Sequence, residues 1–99
     1  MSLTTEYSEQ SKMVTIHISG RFDFSVHREF REAYKDRPAG SVRYAVDLKG
    51  TEYMDSSALG MLLLLREQSD GSSILISNCS PEIKQILSIS NFSKLFEIV

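Results

Sequence analysis

The chain has 99 residues, 41% hydrophobic and 24% charged, enough for one packed core and too few for two. Its formal net charge of -2, with acids and bases interspersed, provides no cationic stripe for a phosphate backbone, so a nucleic-acid partner is not expected. No basic segment followed by an apolar one opens the chain, and no apolar run approaches the roughly 20 residues needed to cross a bilayer. The lone cysteine, Cys79, has no partner for an internal disulfide and reads as a plain thiol. These features predict one cytoplasmic domain over residues 1–99, with no membrane association, no metal and no cofactor.

Leu3, Thr5 and Tyr7 alternate weakly, and "SEQSK" reads as a turn. In "MVTIHIS", Val14, Ile16 and Ile18 point one way and Thr15, His17 and Ser19 the other, which makes a hairpin with one solvated face. The period then lengthens. Val26, Phe30, Ala33 and Tyr34 are spaced as one face of a helix, with Ser25 as its expected N-cap and "DRPAG" beyond its end. "VRYAVDL" is a third strand, too apolar to be an edge, and Lys49 and Gly50 are expected to close it. Asp55 is placed to cap a second helix whose first turn holds Ser56, Ser57 and Ala58 and whose stop is marked by Gly71. Four consecutive leucines circle such a helix, so one or two of Met61, Leu62, Leu63, Leu64 and Leu65 should remain exposed as a partner surface. Gly60 reads as a point of close packing between this helix and the sheet. "SILIS" is a fourth strand. Ser80 and Pro81 start a third helix with Ile83, Ile86 and Leu87 on one face, Asn91 is placed as a left-handed cap, and "KLFEIV" forms a last short strand.

The order β-β-α-β-α-β-α-β predicts an α/β fold, a mixed central sheet of four to five strands with helices mainly on one face. Asp55, Ser56 and Ser57 then lie at the C-terminal end of the third strand, where such sheets place functional groups. A phosphate added in the first turn of a helix meets unpaired amides and the positive end of the dipole. The same residues also read simply as helix starters, and spacing alone leaves both readings open. A serine hydrolase would recruit His17 or His27 as base, but no Gly-x-Ser-x-Gly elbow accompanies Ser56. His17 reads instead as a solvent-side strand residue and His27 as an exposed helix residue. A phosphopantetheine carrier, the other bearer of an Asp-Ser helix start, would be all-helical and strongly acidic, which the strands argue against.

"VDLKGTEYMDSSALGMLLL" resembles the signature of the STAS domain family, of the anti-sigma-factor antagonist (anti-anti-sigma factor) type found in bacteria. There a strand ending in Asp-Leu leads through a short loop to Met-Asp-Ser-Ser-Gly-Leu-Gly. "ISGRFDFS" resembles the family's Gly-x-x-Asp segment and "ILSISNFSKLFEI" its C-terminal stretch, so the likeness runs through nearly the whole chain in order. Ala58 stands where the family usually has Gly, and Asn91 where a late Gly usually sits; Ala is the better helix former, so the first departure bears on partner choice more than on fold.

The resemblance implies a regulator in a partner-switching pathway, without catalytic activity, phosphorylated at Ser56, with Ser57, Asp55, Asp23 and Ala58 as phosphosite neighbours and partner contacts. Asp23 matches the family aspartate close to the phosphosite, and as a turn acid it would equally help to start the first helix. The implied partners are an anti-sigma factor that is also a serine kinase of the histidine-kinase-like ATPase type, bound when Ser56 is bare and released when it is phosphorylated, and a metal-dependent serine phosphatase. The chain itself is expected to be a monomer or weak dimer. The alternative within the family is a STAS module acting on motility, biofilm or a stressosome, or attached to a transporter.

Overall fold

The computed structural model describes residues 3–38, 40–69, 74–89 and 91–99, the side chain of Ser93 excepted. Strands β1 (Leu3–Ser8) and β2 (Met13–Phe22) form the expected antiparallel hairpin, with Lys12 in the left-handed region at φ 55° in its turn. A short 3-10 turn (Phe24–Val26) leads into α1 (His27–Glu32), followed by β3 (Arg43–Met54) and α2 (Ser56–Gln68). Then come β4 (Leu75–Ser77), α3 (Pro81–Ile89), a second 3-10 turn (Phe92–Lys94) and β5 (Glu97–Ile98). The five strands lie in the order β1-β2-β3-β4-β5, antiparallel at β1–β2 and parallel elsewhere, so the apolar third strand is central as expected.

The alternation in β2 decides where the core lies. Val14, Ile16 and Ile18 are buried, whereas Thr15 and His17, on the other side, are half-buried and Ser19 is exposed. The buried set packs with Val26 and Phe30 of the first helical segment, Ala58, Met61, Leu62 and Leu65 of α2, and Ile83 and Leu87 of α3, so the helices cover one face. Fully burying an aliphatic or aromatic side chain of this size contributes about 1.5–3 kcal/mol, which makes this cluster the main stabilising element. Of the leucine run, Leu63 and Leu64 are left exposed. Ser80 caps α3, its Oγ accepting from the Ile83 amide at 3.2 Å, and Asn91 is left-handed at φ 61°. Gly71, the expected stop of α2, lies outside the described residues.

Three expectations are corrected. Ser25 is not the cap of the first helical segment; Asp23 is, because its carboxylate reaches the Ser25 amide. The third strand does not close at Lys49–Gly50 but runs on to Met54, still paired with β2. Gly50 is there for close approach: a Cβ on it would come within 2.8 Å of the Ser19 Cβ. Thr51, buried beside it, donates its hydroxyl to the Ile18 carbonyl at 2.8 Å. Gly60, finally, is exposed, and a Cβ there would meet nothing within 4 Å, so no close packing requires it.

The extension of β3 sets the position of the residues that follow it. His17 pairs with Asp47 but Phe22 with Met54, so β3 takes seven steps (47 to 54) where β2 takes five (17 to 22). Two irregularities, between His17 and Ser19 and between Gly20 and Arg21, absorb the difference. As a result β2 and β3 end level.

Candidate functional site

Phe22 and Met54 are register partners and both buried, and each is followed directly by an aspartate in extended conformation. Asp23 has φ -140° and ψ -168°; Asp55 has φ -129° and ψ -172°. Each then does the same work. Asp23 Oδ1 accepts from the Ser25 amide at 3.0 Å and from the Ser25 hydroxyl at 2.5 Å. Asp55 Oδ1 accepts from the Ser57 amide at 3.0 Å, the Ser57 hydroxyl at 2.5 Å and the Ala58 amide at 3.3 Å. These are side-chain N-caps satisfying amides that a helix start leaves unpaired. The chain thus carries two Asp-x-Ser caps on neighbouring parallel strands.

The two serines of the second cap are inequivalent. Ser57 is half-buried and its hydroxyl is committed to Asp55. Ser56, the first residue of α2, is exposed, and among the described residues no hydrogen bond engages its side chain. Ala58, two residues after Ser56, is fully buried in the core cluster, so its side chain packs inward. Asp23 has a further partner: Arg21 Nε donates to its Oδ2 at 3.0 Å. The Ser25 hydroxyl, the Ser25 amide and this guanidinium together hold the Asp23 carboxyl below the usual carboxylate range.

Three residues at this corner were not singled out by sequence reasoning. The Arg21 guanidinium lies 4.0 Å from the Tyr53 ring centroid. Phe24 occupies the position in the first cap that Ser56 occupies in the second; it is 62% exposed and stacks on the His27 ring at 3.9 Å. His27 Nδ1 donates to the Phe24 carbonyl at 2.9 Å. The signal was present in the repeated pattern "FDFS" and "MDSS", each an apolar residue followed by Asp-x-Ser, which becomes visible once the strand ends are known to be level.

The histidines are not arranged as bases for Ser56. His17 lies on the uncovered face of the sheet between two carboxylates, Nδ1 2.7 Å from Asp47 Oδ2 and Nε2 2.5 Å from Glu6 Oε1. Asp47 also accepts from Asn78 Nδ2 at 2.8 Å and from the Lys49 amide at 3.0 Å. Burial works against the charged ring of His17, but hydrogen bonds to Asp47 and Glu6 outweigh it and raise its pKa above 6.5. Burial likewise pushes Asp47 up, and the hydrogen bonds from Asn78, Lys49 and His17 bring it below its ordinary value. A cavity of about 440 Å³ adjoins this network, lined by His17, Asp47 and Lys49 among others, and contains none of the cap residues. Among the described residues no three His, Cys, Asp or Glu side chains are grouped to hold a metal, and no helix is long and apolar enough to cross a membrane.

Level parallel strands ending in capped corners, under helices on one face, make a small mixed-sheet α/β fold that can be set against known proteins. The family model described as "Mlab, STAS domain" matches residues 5–98, and the chain belongs to the STAS domain family. A STAS-domain containing protein of Pseudomonas aeruginosa is 51% identical, covering 99% of both chains. A Thermotoga maritima protein described as a candidate anti-sigma factor antagonist has a TM-score of 0.81 at 16% identity, covering 97% of this chain and 84% of its own. The Bacillus cell fate determinant SpoIIAA in its phosphorylated form has a TM-score of 0.67 at 17% identity, covering 98% of this chain and 90% of its own. These two likenesses concern the fold.

Proposed function

We propose that this chain, as a single domain over residues 1–99, is a cytoplasmic anti-sigma-factor antagonist controlled by phosphorylation of Ser56. The observation that carries the reading is the inequivalence of the two serines: the exposed Ser56 hydroxyl is uncommitted, whereas that of Ser57 is held by Asp55. The likeness of the fold to SpoIIAA, a protein with a phosphorylated form, supports it. Bare Ser56 leaves the corner formed by Asp23, Phe24 and Ser56 open to a kinase-type anti-sigma factor of the histidine-kinase-like ATPase class. That partner transfers a phosphate from ATP and is then repelled, and a metal-dependent phosphatase restores the hydroxyl. The chain supplies an acceptor and a surface, with no catalysis of its own.

The helix start favours this role. An anion in the first turn gains about 0.3–1 kcal/mol from the dipole at an exposed site. The phosphate therefore acts on the interface and leaves the fold intact. The test is incubation of the chain with the cognate kinase and ATP, followed by mapping of the phosphate. A single phosphate at Ser56, lost in Ser56→Ala and at least partly retained in Ser57→Ala, is the expected result; full labelling of Ser56→Ala overturns the assignment.

A further inference from the structure

The corner around Ser56 is acidic before any phosphate arrives. Asp23 and Asp55 stand side by side beyond the paired Phe22 and Met54. Among the described residues Arg21 is the one cation ion-paired there. The three charges sum to -1, and a phosphate adds about -1.5 to -2 near neutral pH.

Arg21 is placed to answer that charge. It is the register partner of Tyr53, three residues before Ser56, and its guanidinium has crossed onto the Tyr53 ring, above the strand that leads to the serine. The Tyr53 ring and the Asp23 carboxylate hold it from two sides, with Nε bonded to Asp23 Oδ2 at 3.0 Å. The side chain remains 64% exposed, so its terminal amino groups can take a second anion. A guanidinium donates in a rigid fork, with Nε to one acceptor and the terminal groups to another, which an ammonium cannot reproduce.

We propose that Arg21 is the internal counter-ion of phosphorylated Ser56, bridging the phosphate to Asp23 and so holding the phosphate against its own domain. This rests on the reading of Ser56 as the modified residue. The bridge keeps the phosphorylated corner from repelling itself while leaving the net negative charge that a partner meets. No bond is made or broken, and the only change is the set of oxygens that the guanidinium serves.

The test needs no kinase. Phosphoserine is introduced at position 56 by genetic encoding in the full chain and in Arg21→Gln, and phosphorus NMR follows the second ionisation of the phosphate. The midpoint in the unsubstituted chain should lie about one unit below that in Arg21→Gln, the low end of what an adjacent guanidinium does to an acid. The gap should narrow as salt is raised, and Arg21→Lys should recover only part of it. Coincident midpoints overturn the proposal. Should Arg21→Gln fail to fold, the unsubstituted chain decides the matter, since its Arg21 Nε–H resonance should move as the phosphate titrates, and a resonance that stays fixed overturns the proposal. Kinase labelling that maps to Ser56 with coincident midpoints sinks the bridge alone, whereas labelling elsewhere sinks the phosphosite reading whatever the midpoints show.

Discussion

Asp23-Phe24-Ser25 and Asp55-Ser56-Ser57 follow paired strand ends with nearly the same backbone angles and the same carboxylate-to-serine bonds. Yet the first opens a three-residue 3-10 turn and a six-residue helix, and the second a thirteen-residue helix. Between aspartate and serine one holds an exposed phenylalanine, the other an exposed hydroxyl. The cap itself therefore carries no information about function, since both copies have it. What distinguishes the corners is the residue that the cap presents, apolar on one strand and modifiable on the other.

The largest effect expected at this pair of corners is on partner affinity. Phosphate on Ser56 would set a charge against a desolvated or like-charged surface, a contact that costs several kcal/mol, or a loss in affinity of about a hundredfold or more. Titration calorimetry with the anti-sigma partner should show this loss while the melting temperature stays level or rises. A melt lowered by many degrees together with binding would mean that phosphate breaks the cap, and the two corners would then differ in stability as much as in content.

Removing each cap sharpens the contrast in stability. Asp55→Ala strips acceptors from two amides at the head of the long helix and should cost about 1–2 kcal/mol, and Asp23→Ala, which serves one amide of a 3-10 turn, should cost less. Each kcal/mol corresponds to about 4–8 °C for a domain of this size, so thermal melts resolve the order. A larger loss for Asp23→Ala would show that the first corner, with its Arg21 pair, is the structural one. Gly60→Ala works in the opposite direction. With open space around the missing Cβ, alanine should stabilise α2 by about 0.5–1 kcal/mol. A drop in melting temperature would reveal a constraint on that helix that the packing does not show.

The smallest effect lies away from both corners. His17 has its folded pKa raised, so its contribution is fully present below the unfolded value of 6.5 and is lost as pH rises through the folded one. Asp47 has its folded pKa lowered, so its contribution is present above 3.8 and fades as pH falls through the folded value. Because His17 and Glu6 are substantially solvated, the first term is a few tenths of a kcal/mol, in the range of about 0–1 kcal/mol for exposed pairs. The melting temperatures of the native chain and His17→Gln should differ most in mildly acidic buffer and converge in alkaline buffer. A gap that widens with pH would contradict the raised pKa.

Most of the architecture was legible because it rests on periodicity. The change of spacing between "MVTIHIS" and Val26, Phe30 and Tyr34 marks a real change from strand to helix, and Ser80-Pro81 starts α3 as its chemistry requires. The errors fall where one residue type serves two ends. A glycine after a strand signals a stop or a close approach, and Gly50 is the second. A serine before a helical face signals a cap, but Asp23 two residues earlier reaches the same amide. Of the site, Asp55, Ser56 and Ser57 were readable as a local motif. Arg21, Tyr53 and Phe24 were not, because their place depends on the register between strands about thirty residues apart in sequence.

That register works like a vernier. The two irregularities advance β3 by two steps against β2, an even number, so Asp55 arrives both level with Asp23 and on the same side of the pleat. Deleting one residue between Lys49 and Glu52 would leave six steps against five and turn Asp55 toward the opposite face unless one irregularity survives, whereas deleting two would leave five against five, level without any irregularity. A double deletion should therefore fold better than a single one and keep the two caps aligned, an ordering that paired melting and labelling assays can check. The spacing between His17 and Asp55, set by the residues from Ile18 to Gly20 and from Leu48 to Glu52, is for this reason a part of the site.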